Sequence, residues 1–146
     1  RSNNVIIKNI PDFIIIESSV TNALKHGTAA ISSSGTVNLE CALAEIPTIV
    51  CYKTSYINWM IFKIFGKVNF ISIVNLISEE KIIPELIQSD MTSKNILPPL
   101  LEYLSPSSKK RKETIEKYKK IRTKLGSPGM FDRAAKHIIS EKDNEE

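Results

Sequence analysis

Short apolar runs that alternate with amphipathic stretches limit most strongly how this chain can fold. Strands are predicted at VIIK (5–8), FIIIE (13–17), TAAIS (28–32), TIVCY (48–52) and VNFISIV (68–74). These runs are apolar throughout, which is typical of parallel strands that are covered on both faces. Strands that alternate with helices form right-handed βαβ units. The sequence therefore predicts a layered α/β domain built on a parallel sheet.

Helices are predicted between and after these strands. SSVTNALKH (18–26) begins at Ser18 or Ser19 and stops at Gly27, and Pro47 ends TVNLECALAE (36–45). Further helices are predicted at SYINWMIFKIF (55–65) and, from Glu79 onward, over 79–88, 93–103, 106–125 and 128–140. We divide the chain into an α/β part over 1–104, C-terminal helices over 105–142 and a disordered tail over 143–146.

The number and spacing of the cysteines and histidines argue against disulfide bonds and metal sites. Cys41 and Cys51 lie in apolar segments without a Cys-x-x-Cys pair, and His26 and His137 are far apart. We expect reduced thiols, no metal and a cytoplasmic location. No apolar run reaches the length of a membrane span. Because the chain starts at Arg1, we expect a processed product or a piece of a longer protein.

The net charge of +4 comes from one segment. Residues 109–124 hold nine of the twenty Lys and Arg residues, against Glu113 and Glu116. A buried stripe is predicted here at Ile115, Tyr118, Ile121 and Leu125, which would leave the cations as a solvated face. The other interpretation is a non-catalytic basic module that binds an anionic membrane or nucleic acid.

The junction ISSSGTVNLE (31–40) is the candidate ligand site. It follows a predicted strand, and ligands of open parallel sheets bind beyond the carboxyl ends of the strands. A helix that starts near Thr36 would point N–H groups at a phosphate, with Gly35 permitting close approach and Ser34 and Thr36 adding hydroxyls. Glu40, one turn on, would accept hydrogen bonds from ribose hydroxyls. A plain helix cap explains the same residues and stays open.

Other enzymatic motifs are not supported. The sequence has no G-x-S-x-G elbow and no G-K-[ST] phosphate loop. Glu79 and Glu80 are adjacent, so on a helix they point apart and favour a solvated helix start over a catalytic pair.

An ordered series of motifs resembles the C-terminal part of lipid-A-disaccharide synthase. The series is Ser34-Gly35-Thr36, Leu39-Glu40, Pro47, Tyr52-Lys53, Trp59, Asn75-Leu76 and Pro84-Glu85-Leu86 with Gln88, and the ending LGSPGMFDRAAKHII is also similar. The resemblance covers residues 29–139. It implies a Rossmann-like half of a donor-binding domain in a two-domain (GT-B) glycosyltransferase. A peptidoglycan transferase or a 2-epimerase is a further alternative, which the Tyr-Lys and Pro-Glu-Leu-x-Gln steps disfavour.

The resemblance also implies an activity and its residues. The family transfers 2,3-diacylglucosamine from its UDP donor to 2,3-diacylglucosamine 1-phosphate, without metal or cofactor, and releases UDP and the lipid A disaccharide. Here Ser34, Gly35 and Thr36 would face the diphosphate, Glu40 the ribose, and Asn75 the cleft near the sugar. We expect no catalytic residue in this chain, because the general base and the acceptor domain lie upstream, and hence no turnover by it alone.

Partners and location are implied in the same way. The family acts on the cytoplasmic face of the inner membrane of Gram-negative bacteria, and it suggests a homodimer and no nucleic acid. SYINWMIFKIFGKV (55–68) fits either a core helix or a helix that dips into lipid. Two departures put donor binding in doubt: Val74 where the family has Pro, and Glu79-Glu80 where it has Gly-Arg.

Overall fold

Three short parallel strands form the sheet of this protein. In the computed structural model the described residues are 19–55, 69–126, 129, 134–137 and 139–140. The strands are β1 (Ala30–Ser32), β2 (Thr48–Tyr52) and β3 (Glu85–Ile87), in the order β1-β2-β3. Ser32 pairs with Val50, and Val50 with Glu85, so these three residues form one row across the sheet. The predicted parallel α/β architecture is confirmed.

The described helices surround this sheet. They are α1 (Val20–His26), α2 (Val37–Leu43), α3 (Ile73–Ser78), α4 (Ser93–Leu104) and α5 (Lys109–Leu125), with a 3-10 turn over Gln88–Asp90. Ser19 begins α1 by accepting a hydrogen bond from the N–H of Asn22, and Gly27 ends it, as predicted. Strand β2 has the predicted bounds, and α4 and α5 lie within a few residues of theirs.

The predicted strand over 68–74 is wrong. Ser72 is the N-cap of α3, and its hydroxyl accepts a hydrogen bond from the N–H of Asn75 at 3.2 Å. The β-branched residues Ile73 and Val74 therefore begin a helix. A local cap has overridden strand propensity here, because propensity is a weak preference that capping and packing reverse.

The predicted helix over 79–88 is wrong as well. Glu79 ends α3 in a left-handed conformation with φ 58°, and Pro84 restricts the residue before it to extended backbone. The N–H of Val50 donates to the carbonyl of Pro84 at 2.9 Å, which opens the pairing of β2 with β3. Glu85–Ile87 is consequently the third strand of the sheet.

One apolar core joins the sheet to the helices. It comprises Ala42, Val50, Val74, Ile82, Ile83, Tyr118 and Ile121, with Leu39 and Ile77 against it. Of the stripe predicted on α5, Tyr118 and Ile121 are buried, whereas Leu125 is 44% exposed. Thr114 takes the remaining buried position. Helix α5 therefore shares its core with the sheet, and the division into parts at residue 104 stays a prediction.

Several predicted segments lie outside the described residues. These are the strands over 5–8 and 13–17, the helix over 55–65 apart from Ser55, and the tail over 143–146. Of the helix predicted over 128–140, residues 134–137 and 139–140 are helical, and residues 128, 130–133 and 138 lie outside the described part.

Candidate functional site

The loop between β1 and α2, residues 33–36, lies at the carboxyl edge of the sheet. Strand β1 ends at Ser32, and α2 begins at Val37. We expect a ligand site here, because open parallel sheets bind ligands beyond the carboxyl ends of their strands. The structure thus brings Ser34, Gly35 and Thr36 together in what we call the β1–α2 loop.

The N-terminus of α2 has no side-chain cap. Thr36 adopts helical backbone angles, and its hydroxyl makes no capping bond. Within the described part of the chain, no acceptor is bonded to the N–H of Val37, whereas Asn38 donates to the carbonyl of Gly35 at 3.3 Å. The cap explanation of these residues therefore does not describe Thr36. Among the described residues, the N–H of Val37 therefore stays available to an anion, at the positive dipole end of α2.

Gly35 leaves the loop open. Its φ is +151°, and nothing in the described structure lies within 4 Å of the position that a Cβ would take. A side chain at residue 35 would be strained by its backbone angle rather than by a clash. A ligand can therefore approach the backbone closely at this residue.

The Ser34 hydroxyl is already engaged. It donates to the carbonyl of Ile71 at 3.2 Å, across the edge of the sheet. A hydroxyl has one proton to donate. In this arrangement Ser34 can offer a phosphate its backbone N–H, while its side chain ties the loop to the segment that precedes α3.

Glu40 lies one turn into α2 with its side chain exposed. It lines a groove of about 570 Å³ between α1 and α2, together with Thr21, Leu24, Lys25, Leu43 and Ala44. The volume is within the usual range for a small-molecule site. Glu40 therefore lies on the helix that follows the loop, and its side chain lines the groove beside α1.

Asn75 is fully buried, and its side-chain amide makes four hydrogen bonds to other described residues. Its Oδ1 accepts from the N–H of Ile82 and Ile83 at 2.8 and 3.0 Å. Its Nδ2 donates to the carbonyl of Ile83 at 3.0 Å and to Glu85 at 2.8 Å. These four bonds use the whole capacity of the amide. Asn75 thus holds the chain between α3 and β3 and turns no free polar group outward.

Glu85 fills the N-terminus of α3. Its two carboxylate oxygens accept from the N–H of Ser72 and of Ile71, each at 2.9 Å. A carboxylate at a helix N-terminus satisfies its N–H groups and its dipole. Of α2 and α3, the two short helices beside the sheet, α3 has its N-terminus occupied by the protein and α2 does not.

Two further polar side chains organise this edge of the sheet, and neither has a role predicted from the sequence. Glu85 and Gln88 belong to the Pro-Glu-Leu-x-Gln motif, but no role followed from the motif alone. Gln88, with φ 54°, accepts from the N–H of Thr54 at 3.1 Å and donates to its carbonyl at 2.9 Å. This clamp fixes the chain that leaves β2 at Lys53.

The basic residues of α5 mostly bind the protein itself. Lys109, Lys117 and Lys119 pair with Glu113, Glu80 and Glu116 at 3.7, 2.6 and 2.7 Å. Lys124 and the two arginines donate to backbone carbonyls, Arg111 to those of Thr28 and Tyr103, Arg122 to that of Leu43, and Lys124 to that of Ile77. These contacts favour the interpretation of a solvated, packed helix.

The described residues contain neither a cluster of metal-ligating side chains nor a membrane-spanning helix. There, no three His, Cys, Asp or Glu side chains are grouped so that they could hold a metal ion. None of the helices in the described part is long and apolar enough to cross a bilayer.

Comparison with known proteins gives one consistent family. The family model of lipid-A-disaccharide synthetase matches residues 5–137. The chain is 39% identical over 112 residues to the lipid-A-disaccharide synthase of Prochlorococcus marinus (strain MIT 9313), covering 75% of this chain and 28% of that protein. It is 36% identical over 127 residues to that of Gloeothece citriformis (strain PCC 7424), covering 86% and 33%. It is 32% identical over 139 residues to that of a Sulfurihydrogenibium species (strain YO3AOP1), covering 94% and 34%. The matches thus span about a third of the length of these relatives.

Proposed function

This chain belongs to the lipid-A-disaccharide synthetase family, and from that premise we propose that it binds the UDP-sugar donor of a glycosyltransferase. The reaction is transfer of 2,3-diacylglucosamine from UDP to 2,3-diacylglucosamine 1-phosphate, which yields the lipid A disaccharide and UDP. The family match supports the reaction class, and the β1–α2 loop supports the role of this chain in it.

The open loop is the observation that carries the proposal. A nucleoside diphosphate brings negative charge, and the uncapped N-terminus of α2 offers the N–H of Val37 and a positive dipole end, next to the N–H groups of Gly35 and Thr36 in the loop. Gly35 lets phosphate oxygens reach that backbone. The N-terminus of α3 suits an anion less well, because the Glu85 carboxylate already accepts hydrogen bonds from the N–H groups of Ile71 and Ser72 there.

The remaining site residues have distinct roles in this proposal. The backbone of Ser34, Gly35 and Thr36 donates to the diphosphate. The exposed carboxylate of Glu40 accepts hydrogen bonds from the ribose hydroxyls. Asn75 shapes the cleft near the sugar through the backbone it holds rather than through a free amide group. No residue of this chain is assigned to proton transfer.

We also propose that the protein works on the cytoplasmic face of the inner membrane, as a peripheral protein and a homodimer. Both substrates are acylated and therefore reside in a bilayer surface. Basic side chains of α5, such as Lys110, Lys112 and Lys120, are exposed and suit anionic headgroups.

Titration with UDP, followed by amide NMR of the labelled chain, tests the proposal. We expect shifts concentrated at Gly35, Thr36 and Glu40, and much weaker effects with uridine, which lacks the diphosphate. Gly35→Ala should weaken UDP binding about tenfold, because the strained backbone angle costs roughly 1–3 kcal/mol.

Gly126→Ala is the matched control. Gly126 also has a positive φ, of 81°, and open space at its Cβ position, but it lies at the end of α5. This variant should carry similar strain and keep its affinity for UDP. Salt-dependent binding to duplex DNA, without any UDP-induced shift, would instead support the basic module.

A further inference from the structure

Glu85 has a position that its place in the sequence motif does not explain. It begins β3, in the same row of the sheet as Ser32 and Val50. Its carboxylate is half-buried and accepts hydrogen bonds from Ile71 N–H, Ser72 N–H and Asn75 Nδ2 at 2.8–2.9 Å. Three donors on one carboxylate hold it in a single pose, so it acts as a fixed anchor.

A single peptide group joins this anchor to the β1–α2 loop. The peptide between Ile71 and Ser72 carries the Ile71 carbonyl, which accepts from Ser34 Oγ at 3.2 Å, and the Ser72 N–H, which donates to Glu85 at 2.9 Å. A trans peptide is planar, with its N–H and C=O pointing in opposite directions. Glu85 therefore sets the direction in which the carbonyl meets Ser34.

This contact matters because the loop has little other support. Among the described residues, the 33–36 segment makes one side-chain hydrogen bond to another part of the fold. This is the bond from Ser34 Oγ to the carbonyl of Ile71. The glycine in the loop adds backbone freedom. Hydrogen bonds that share a peptide also polarise and strengthen one another. A shift of the Ile71–Ser72 peptide would therefore move the N–H groups of the loop.

On the basis of the proposed function, we propose that Glu85 is a positioning residue for the nucleotide diphosphate. It touches no ligand and acts through the Ile71–Ser72 peptide and Ser34 on the backbone of the β1–α2 loop. Asn75 belongs to the same hydrogen-bond network. Its amide donates to Glu85, and it accepts from the N–H groups of Ile82 and Ile83 in the chain that leads into β3.

UDP affinity of the chain, measured by titration, tests this inference. Glu85→Gln replaces one carboxylate oxygen by an NH2 group, which cannot accept the hydrogen bond from the backbone N–H that it faces. We therefore expect UDP to bind about tenfold more weakly. Ser34→Ala should weaken it to a similar degree. Ser34→Thr keeps the hydroxyl and should retain affinity within about twofold.

The double variant distinguishes positioning from a general loss of structure. Since both residues act through one peptide, Glu85→Gln together with Ser34→Ala should bind UDP about as well as Glu85→Gln alone. Multiplied losses would overturn the inference. The control is Glu80→Gln, which removes a carboxylate beyond the other end of α3 and should leave affinity unchanged.

The outcomes separate the two proposals. A wild-type chain that does not bind UDP refutes the proposed function and this inference with it. A wild-type chain that binds UDP, with Glu85→Gln and Ser34→Ala binding equally well, refutes the inference alone. If Glu85→Gln does not fold, the Ser34→Ala and Ser34→Thr pair still decides, because equal affinity of these two variants would overturn it.

Discussion

Asn75 is expected to be the most costly polar residue to remove. The side chain is 0% exposed and makes four hydrogen bonds to the chain around it. Asn75→Ala leaves the N–H and the carbonyl of Ile83 without partners, and the N–H of Ile82 keeps only its bond to the carbonyl of Glu80. A buried polar group without a partner costs about 1–3 kcal/mol. Entry of water relieves part of this cost, so we expect a loss of about 3–5 kcal/mol in the free energy of unfolding.

Denaturation by urea at pH 7, followed by circular dichroism, measures this loss. The expected effect is large beside the roughly 5–15 kcal/mol that stabilises a typical domain. Asn95→Ala is the matched control, because the amide of Asn95 is exposed and donates to the carbonyl of Asp90. That variant should stay within about 0.5 kcal/mol of wild type. A loss below about 1 kcal/mol in Asn75→Ala would refute the reasoning.

Asn75→Asp separates the donor half of the amide from the acceptor half. The new carboxylate can still accept from Ile82 and Ile83, but it faces the carboxylate of Glu85 and the carbonyl of Ile83. Burial and the neighbouring carboxylate of Glu85 disfavour the charged form of the new carboxyl, so we expect the folded state to bind its proton more tightly than the unfolded state. The variant should be destabilised at pH 7 and should recover stability as the pH falls toward 4. A destabilisation independent of pH would contradict the assigned hydrogen bonds.

Three further predictions follow from backbone angles and burial. Glu79→Gly should raise the free energy of unfolding by about 1 kcal/mol, because residue 79 has a left-handed backbone. Burial raises the pKa of the phenols of Tyr103 and Tyr118, so unfolding is favoured once the unfolded chain ionises them. Stability in denaturant should therefore fall as the pH rises above about 10. Burial also raises the pKa of Cys41, so a thiol reagent at neutral pH should modify it only through opening of the fold, and more slowly than the half-buried Cys51.

The parts of the fold that follow from local pattern were predictable. TIVCY is a run of β-branched and apolar residues bounded by Pro47 and Lys53, and the structure has this strand with the predicted bounds. The helix α1 has its serine cap and its glycine stop. From these elements the carboxyl edge of the sheet follows, and with it the position of the β1–α2 loop.

The parts that depend on pairing across the fold were not predictable. Glu85–Ile87 is a strand because it pairs with β2, some 35 residues earlier in the chain. The start of α3 depends on Ser72 and on the carboxylate of Glu85, thirteen residues further on. The local sequence does not reveal such contacts, since the same segment taken alone is compatible with a strand or with a helix. The contacts on which the proposed role of Glu85 rests could not be predicted for the same reason.

The departures from the family motifs have local explanations that leave the loop untouched. Val74 lies in the first turn of α3, where a proline would cost no intrahelical hydrogen bond, so either residue suits the helix. Glu79 occupies a left-handed position in which a glycine would relax the backbone. Glu80 pairs with Lys117, beside Lys120 and Lys124, and this pairing lowers the pKa of its carboxyl. Both glutamates follow the C-terminus of α3, whereas the link to Ser34 precedes its N-terminus. The reversed charge is therefore matched by lysines of α5, at the end of α3 that faces away from the proposed diphosphate site.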